Sequence, residues 1–305
     1  MKRAISISIG SSKRDKMVEI DLLGEHVNLE RRGTDGDMEE AARLYQELDG
    51  KVDAFGVGGA DLGLTVGNRR YPLYSAMKMV RNVKYTPIVD GTGLKMTLER
   101  QSTAVLEKQI GGYIKDKKVF IVSAVDRWGL THAFAQAGYY LIIGDMMSAL
   151  GVPIALHSES MVKIIAAILL PLVARLPFEW IYPIGEKQEI RTPKWGKYFE
   201  EASVIAGDCH YIKRYMPNVL DGKVIVTNTT TPEDQALFRQ AGVKYLMTTT
   251  PVLDGRSFGT NMMEAAIIAA LGQKEQVDYA HPGTYFQQME QVIHQLNMVP
   301  SIQEL

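Results

Sequence analysis

The chain alternates short runs rich in β-branched residues with longer runs in which apolar residues recur at helical spacing. Residues 4–10 alternate isoleucine with serine, which predicts a strand. Residues 37–51 begin with acidic side chains and have a glycine near their end, which predicts a helix with both ends marked. A buried strand is predicted at 118–124 and a helix at 126–138. Elements that alternate at this spacing favour parallel sheets covered by helices.

The last third of the chain repeats the same unit of strand and helix. Thr231 is the expected cap of one of these helices, and Pro232 stands at its first position. An amphipathic helix is predicted at 284–296. Strands are predicted at 139–145, 202–208, 223–229 and 243–250.

These elements predict an α/β fold made of a Rossmann-like parallel-sheet domain and a smaller N-terminal α/β domain. We expect the N-terminal, substrate-side domain at residues 1–112 and the Rossmann-like domain, with a C-terminal helix, at residues 113–305. An alternative left open is that the C-terminal helix returns to the N-terminal domain. A helix is predicted from the turn at Asp90 to about Ile110, and a strand at 152–156.

A long apolar helix is predicted at 161–176. Its most apolar stretch, residues 164–174, is shorter than the about 20 residues that a membrane-spanning helix needs. We therefore predict that this helix is buried within the protein and does not contact a membrane.

Charge and cysteine content exclude several classes of function. The chain has 34 basic and 35 acidic side chains and a net charge of −1, so no large face of one sign is expected to bind nucleic acid or an anionic membrane. The one cysteine, Cys209, excludes an internal disulfide and a cysteine-rich zinc site. We predict no metal site. The N-terminal segment is too short and too alternating for a signal peptide, so a cytoplasmic protein is expected.

Polar side chains follow the predicted strands of the second domain, where ligands bind in open parallel sheets. A plain turn is also polar, so this pattern alone has two explanations. The run of three threonines at 248–250 is more than a strand end requires, and it favours a ligand crevice. The candidate cofactor-binding residues along this edge are Ser123, Asp126, Arg127, Gly129, Asp145, Thr227, Asn228, Thr229 and Thr249.

Asp145 has two interpretations of equal weight. It closes a predicted strand about 20 residues after Ser123, where an acid binds the ribose hydroxyls in dinucleotide domains. It also stands where it would cap the short helix that follows. If it binds ribose, NAD is favoured over NADP, because its charge repels a 2′-phosphate. The loop before it lacks Gly-x-Gly-x-x-Gly, and Asp126 adds negative charge there.

Residues 86–100 interrupt an apolar run with Asp-Gly-Thr-Gly, and a helical pattern follows at once. This stretch is either a plain turn with a helix cap or the position of a substrate-binding acid, Asp90. We expect Asp90 to face a cleft, with Gly91 and Gly93 keeping the loop close to a ligand.

Residues 89–99, VDGTGLKMTLE, and 117–139, KKVFIVSAVDRWGLTHAFAQAGY, resemble the hinge region of the shikimate/quinate 5-dehydrogenase family. The resemblance implies an NAD(P)-dependent oxidoreductase in which Asp90 is the catalytic aspartate and Thr92 lies at the substrate. Lys95 is our choice for the catalytic lysine, with Lys78 and Lys84 as upstream alternatives. Ser11 and Ser12 echo the family's serine-rich substrate-binding pattern, whereas its glycine-rich loop is not kept.

The segment 248–265 supplies further substrate-binding candidates. The guanidinium of Arg256 suits a carboxylate or a phosphate, because its fork binds such anions through two bonds. The alternative is an ion pair between Arg256 and Asp254 on a solvated loop. Candidates in this segment are Arg256, Ser257, Thr260 and Asn261, expected in one crevice with Thr227 and Asn228.

Two functions therefore remain open. The first is an NAD(P)-dependent oxidoreductase that acts on a small hydroxylated acid, with NAD or NADP as cofactor. The second is a non-dehydrogenase of Rossmann-like fold that binds a nucleotide or an anionic metabolite. Fold does not separate them. The expected partners are a small-molecule substrate and, as a further option, a second copy of the chain, with no nucleic acid and no membrane.

Overall fold

The computed structural model describes residues 1–176, 190–250, 252–253, 256–279 and 281–305, and gives the backbone alone for 252, 253, 256 and 257. Contacts between Cα atoms divide the chain into two units. The first contains Met1–Leu94, residues 169–176 and Gly259–Asn297. The second contains Lys95–Ile168, the described residues between 190 and 258, and Met298–Leu305.

The units differ from the two contiguous segments of the prediction. The first unit ends at Leu94, not near residue 112, and it also contains residues 259–297. The physical reason is the helix at Thr260–Leu271, which is apolar on nearly every side and packs against the strands of the first unit.

Helices of both units are numbered here in chain order. They are α1 (Met38–Leu48), α2 (Tyr74–Met77), α3 (Thr92–Met96), α4 (Ser102–Ile110), α5 (Trp128–Gln136), α6 (Asp145–Leu150), α7 (Glu159–Val173), α8 (Gly196–Glu201), α9 (Cys209–Tyr215), α10 (Pro232–Gln240), α11 (Thr260–Leu271) and α12 (Pro282–Gln295).

The first unit is built on a sheet with the strand order β2-β3-β1-β4-β7. Strands β1, β3, β4 and β7 are parallel, and β2 runs antiparallel to β3. Strands β5 and β6 form a separate hairpin. The bounds are β1 (Lys2–Ser8), β2 (Lys16–Leu22), β3 (Glu25–Gly33), β4 (Ala54–Gly58), β5 (Gly63–Val66), β6 (Arg69–Pro72) and β7 (Ile88–Val89).

The second unit is built on a sheet with the order β15-β12-β11-β10-β8-β9. Its five strands from β8 to β12 are parallel, and β15 is antiparallel to β12. The bounds are β8 (Lys118–Ile121), β9 (Tyr140–Ile143), β10 (Val204–Ala206), β11 (Val224–Thr227), β12 (Tyr245–Thr248), the hairpin of β13 (Val252–Leu253) and β14 (Arg256–Ser257), and β15 (Ser301–Glu304).

The predicted α/β class with a Rossmann-like parallel sheet is confirmed. The core of the second sheet contains Phe120, Ile205, Ile225 and Leu246, one from each of four neighbouring parallel strands. A strand buried on both faces is expected to be apolar throughout, and this explains the near-continuous apolar runs in the sequence.

Some predicted elements differ in the structure. The single helix expected from the Asp90 turn to Ile110 is three pieces: α3, a 3₁₀ turn at Leu98–Gln101, and α4. The strand predicted at 152–156 is one bridge between Ile143 and Leu156.

The long apolar helix, α7, was predicted to be buried, and this is wrong for one of its faces. Val162, Ala166 and Leu170 are buried, whereas Ile164 and Ile168 are each 61% exposed and Leu172 is 64% exposed. Among the helices in the described ranges, none has the length and apolar character needed to cross a membrane.

Gly129 allows α5 to approach the last residues of α3 closely. A Cβ at this position would overlap the carbonyl oxygen of Lys95, which is backbone and has little freedom to move. Close packing therefore requires glycine at position 129. This gives a structural reason for the glycine that stands in the predicted cofactor-binding loop.

We expect Gly129→Ala to lower the free energy of unfolding by about 3 kcal/mol, the upper end of the usual range for overpacking. Gly112→Ala is the matched control, because no atom lies within 4 Å of the Cβ it would add. Urea unfolding of both variants measures the difference. Equal stability of the two would show that the Lys95 carbonyl does not constrain position 129.

Candidate functional site

The second sheet changes direction between β8 and β10. Strand β9 lies on one side of β8, whereas β10, β11 and β12 follow on the other side. The loops that leave β8 and β10 therefore diverge, and such a switch point is where open α/β sheets bind ligands. These loops carry Arg127 and Asp208.

The guanidinium of Arg127 is buried at this switch point, with 4% of its side chain exposed. Its Nη1 donates to Oε1 of Glu99 at 2.6 Å, and its Nη2 donates to Oδ2 of Asp208 at 2.8 Å. Its Nε lies 3.2 Å from Oδ2 of Asp126. A buried charge is tolerated only when it is paired in this way, so three carboxylates hold the arginine in place.

The two carboxyls bound by the guanidinium respond in opposite directions. Burial raises the pKa of Glu99, although the charges of Arg127 and Lys95 oppose the shift. Burial acts to raise the pKa of Asp208 as well, but the charges of Arg127 and His210 and the hydrogen bond from the His210 N–H together outweigh it, so the pKa lies below its usual value. Asp208 is therefore the ionised partner, and Glu99 is the more readily protonated one.

Glu99 also has one oxygen that no other described group contacts through a hydrogen bond. Oε1 accepts from Arg127 and, at 3.4 Å, from the hydroxyl of Thr249. Oε2 is buried without a hydrogen-bond partner among the described residues. A proton on this carboxyl would therefore be expected on Oε2.

Further side chains at the ends of β8 and β11 surround this ion network. Nδ2 of Asn228 donates to Oδ2 of Asp208 at 2.9 Å, and the hydroxyl of Thr227 donates to the carbonyl of Gly207 at 2.9 Å. The hydroxyl of Ser123 accepts from the Asp208 N–H at 3.4 Å. We call the whole set the switch-point cluster: Glu99, Ser123, Asp126, Arg127, Asp208, Thr227, Asn228 and Thr249.

The structure thus gathers most of the predicted cofactor-binding residues at one edge. Thr229 follows the cluster residue Asn228 and is half-buried. Asp208 ends the strand predicted at 202–208, so the same strand-end signal points to it. Glu99 carries no such signal, because it lies in a stretch that was predicted to be plain helix.

Lys95 joins the cluster from α3. Its ammonium donates to Oδ1 of Asp126 at 2.7 Å, and both side chains are almost buried. Lys95 thus pairs with the carboxylate of Asp126, and Asp90 pairs with the guanidinium of Arg70. The catalytic roles predicted for Lys95 and Asp90 stay predictions.

Asp145 is tied to the loop that follows β8. Its carboxylate accepts the N–H of Ala124 and the N–H of Val125, each at 2.9 Å. Burial raises the pKa of this carboxyl to about 6. In a dinucleotide domain the first loop offers its N–H groups to the pyrophosphate, and here a protein carboxylate has two of them. The ribose-binding role of Asp145 stays a prediction.

Asp90 lies in the first unit, at the end of β7, with its carboxylate fully buried. Oδ2 accepts from Nη2 of Arg70 at 2.8 Å and from the N–H of Leu62 at 2.9 Å. Oδ1 accepts from the N–H of Thr92 at 3.1 Å, and the hydroxyl of Tyr279 lies 3.5 Å away. Arg70 also stacks on the Tyr279 ring, 3.9 Å from its centroid, and donates to the Thr92 hydroxyl at 3.2 Å.

Packing inside the first unit accounts for the two glycines after Asp90. Gly91 has a φ of +92°, and its Cβ would lie 2.6 Å from the hydroxyl oxygen of Thr260. A Cβ on Gly93 would lie 3.0 Å from the carboxyl of Glu264. Both positions therefore need glycine because α11 packs closely against them. On the sequence alone, we explained these glycines only by the approach of a ligand.

The other predicted substrate-binding residues have separate partners. The hydroxyl of Ser11 accepts from the N–H of Lys13, and the hydroxyl of Ser12 donates to Asp35 at 2.7 Å. Asn261 donates to the Ser6 hydroxyl at 2.6 Å. Thr260 and Asn261 belong to the first unit, in α11, and the crevice they were expected to share with Thr227 and Asn228 stays a prediction. The side chains of Arg256 and Ser257, and Asp254, lie outside the described residues.

Two family models match the chain, and each is described as a domain of unknown function. DUF8753 matches residues 3–90, and DUF8754 matches residues 93–305. The chain belongs to the DUF8754 family. The two matches meet at the turn that begins with Asp90. No curated protein matches the chain.

Several solved structures are similar to this DUF8754 chain at low identity. The malic enzyme of Entamoeba histolytica has 11% identity and a TM-score of 0.33, over 80% of this chain and 52% of that chain. The hetero-hexameric glutamate dehydrogenase of Thermus thermophilus has 12% identity and a TM-score of 0.39, over 96% of this chain and 74% of that chain. An ABC transporter solute-binding protein of Bacillus halodurans C-125 with bound myo-inositol has 10% identity and a TM-score of 0.36, over 95% of this chain and 98% of that chain. The chain spans about half the length of the malic enzyme, and these low scores carry no argument about function.

Glu264 of α11 lies beside the Asp90 turn as a buried acid. Its Oε1 accepts from the hydroxyl of Tyr285 at 2.6 Å, and its Oε2 accepts from the N–H of Leu94 at 3.0 Å. Burial raises the pKa of this carboxyl from 4.5 to about 7, and the charge of Asp90 adds to the shift. Ionising Glu264 therefore destabilises the folded state.

The Glu264→Gln variant tests this directly. A raised pKa leaves stability unaffected below about pH 4.5 and lowers it as pH rises to about 7, because the unfolded chain ionises first. The glutamine stays neutral, so the free energy of unfolding of the variant should rise relative to that of the wild type across this window, by roughly 3 kcal/mol at pH 8. Urea unfolding at pH 5, 6, 7 and 8 measures the difference. A difference that does not change with pH would contradict the raised pKa.

Proposed function

We propose that the switch-point cluster binds a small hydroxylated metabolite. The observation that carries this proposal is the guanidinium of Arg127, held by Glu99 and Asp208 at the carboxyl edge of a parallel sheet. Ligand sites in such sheets lie at this edge, and they use a few fixed polar groups to orient the ligand. Arg127 fixes two acids there, and Asn228 is hydrogen-bonded to one of them.

The charges of the cluster favour hydroxyl groups over a phosphate. The positive charges of Arg127 and Lys95 already face the carboxylates of Glu99, Asp126 and Asp208. A phosphate at this edge would be repelled by Asp126 and Asp208, which are only partly buried. A ligand hydroxyl instead donates to a carboxylate, in a charge-assisted hydrogen bond of the stronger kind.

Binding of a panel of polyols, sugars and hydroxy acids, measured by calorimetry, tests this function. We expect at least one compound to bind and Asn228→Ala to weaken it about tenfold, because Asp208 then loses a fixed donor. Asn82→Ala is the matched control, since Asn82 is exposed and bonds Gln46 in the first unit. Binding that Asn228→Ala and Asn82→Ala affect equally, or a panel without any binder, would contradict the proposal.

The second candidate is an NAD(P)-dependent oxidoreductase of shikimate/quinate dehydrogenase type, acting on a small hydroxylated acid. The pair of Lys95 and Asp126, 2.7 Å apart, favours it. The carboxylate of Asp126 would take the hydroxyl proton and Lys95 would donate a hydrogen bond to the oxygen, while hydride passes from the same carbon to the nicotinamide ring. The oxygen is left as a carbonyl, and the cofactor is reduced.

Titration with NADH and NADPH, followed by nicotinamide fluorescence, separates the two candidates. Because Asp145 already accepts two N–H groups of the loop after β8, the oxidoreductase requires the dinucleotide to be held by other groups. If a cofactor binds, Asp145→Ser should improve NADPH binding relative to NADH, since a negative charge is removed. No binding of either cofactor at millimolar concentration would end the oxidoreductase proposal and leave metabolite binding standing.

A further inference from the structure

Strand β2 forms an open edge of the first sheet. It lies at one end of the order β2-β3-β1-β4-β7, and among the described strands its seven residues pair with β3 alone. In an antiparallel pair, successive residues direct their N–H and C=O groups in turn toward the neighbouring strand and away from it. The outer side of β2 therefore has a row of backbone donors and acceptors that a further strand can use.

The β2 edge lacks most of the features that block the addition of a strand. The pairing with β3 runs from Lys16 to Leu22 without a bulge, and β2 contains no proline. At the opposite edge of the sheet, β7 has only two residues. Native sheets protect their edges with short strands, bulges, prolines or charged side chains, and of these β2 has the charges alone.

The side chains of β2 alternate between a packed face and an open face. Ile20 and Leu22 are buried, and α11 packs against the strand. Met17 is 63% exposed, and the side chains of Glu19 and Asp21 are 54% and 86% exposed. Because these three residues alternate with the buried ones, they share the open face. One face of the edge is thus apolar, and the other has two acids.

His26 of β3 contacts both acids from the adjacent strand. Its Nδ1 lies 2.8 Å from Oδ1 of Asp21, and its Nε2 lies 3.2 Å from Oε2 of Glu19. These hydrogen bonds to Asp21 and Glu19 raise the pKa of His26. One imidazolium has at most one positive charge for the two carboxylates, and it contacts one oxygen of each. Both acids are exposed, so a cation of a partner can reach their other oxygens.

The same two acids disfavour a second copy of β2 as the neighbouring strand. Residues opposite each other in an antiparallel pair point to the same face, so a full-length pair of two β2 strands is centred on Glu19. This register places Glu19 opposite Glu19 of the other copy. Like charges that lie directly opposite each other destabilise a strand pair. The edge therefore favours a strand with basic side chains over its own copy.

We propose that the β2 edge binds an extended segment of another protein in which basic and apolar residues alternate. Its basic side chains would lie beside Glu19 and Asp21, because the two acids have the spacing of one strand face. Its apolar side chains would lie on the other face, beside Val18 and Ile20. In strand addition, backbone hydrogen bonds supply the affinity and the side chains of the two faces supply the specificity.

Binding of synthetic peptides to the full chain, measured by fluorescence anisotropy at low ionic strength, tests this interaction surface. A peptide of the length of β2 that alternates lysine with valine should bind. A peptide that alternates glutamate with valine should bind about tenfold more weakly, because both acids then face like charges. A lysine–valine peptide with a central proline keeps its charges and should also bind about tenfold more weakly, since proline interrupts strand pairing.

A double variant tests the role of the acids. Glu19→Gln combined with Asp21→Asn should weaken binding of the lysine–valine peptide about tenfold, because it removes both charges from the open face. Both side chains are exposed, so this variant should fold normally. Glu47→Gln combined with Glu290→Gln is the matched control: both glutamates are exposed, in α1 and α12, and the change in net charge is the same.

Amide hydrogen exchange shows whether the peptide is added as a strand. The bound lysine–valine peptide should slow exchange across Lys16–Leu22, because the outward N–H groups become hydrogen-bonded. The proposal is overturned if this exchange is unchanged, if the lysine–valine peptide does not bind at millimolar concentration, if the proline or glutamate peptide binds equally well, or if the two double variants behave alike. Slow exchange in β2 that depends on protein concentration without peptide would assign the edge to a second copy, and would overturn the proposal too.

Discussion

The need to neutralise one buried positive charge organises the carboxyl edge of the second sheet. The guanidinium of Arg127 cannot remain buried without carboxylates, because an unpaired charge in the interior destabilises a fold by several kcal/mol. Its partners come from separate parts of the chain: Glu99 lies in the 3₁₀ turn after α3, and Asp208 follows β10. Removing either acid would leave the arginine partly uncompensated, so the network forms as a whole. It holds two strand-end loops and the 3₁₀ turn in one geometry.

Both sheets reverse direction next to their first strand, and a buried arginine lies at each switch point. Arg127 donates to the carboxylates of Glu99 and Asp208 in the second sheet, whereas Arg31 donates to the carboxylate of Asp15 and the hydroxyl of Ser8 in the first. Carboxylates of the protein also accept hydrogen bonds from backbone N–H groups of loops and helix starts: Asp145 does so after β8, and Asp90 does so before α3. Fold alone would not have separated these chemistries.

The sequence predicted the buried parallel strands because their apolar runs are long and are bounded by turn residues, as at 118–124 and 223–229. Strand β2, the β5–β6 hairpin and β15 escaped prediction because edge strands and short hairpins have weak periodicity. The strand-end rule found Ser123, Arg127, Thr227 and Asn228. It missed Glu99, Arg70 and Glu264, because each acquires its role from a partner distant in the chain. The glycines at 91, 93 and 129 also allow close tertiary packing, which no local sequence pattern reports, and their predicted role near a ligand stays a prediction.

A double-mutant cycle between Glu99 and Arg127 tests most directly whether this ion network organises the second unit. The variants Glu99→Gln, Arg127→Lys and the double mutant are compared with the wild type by urea unfolding at pH 7. Residues that share one buried network show coupling of about 0.5–3 kcal/mol, and we predict a value above about 1.5 kcal/mol here. Glu99→Gln combined with Arg239→Lys, in α10, should be additive. Additive effects for Glu99 and Arg127 as well, within about 0.3 kcal/mol, would contradict the account.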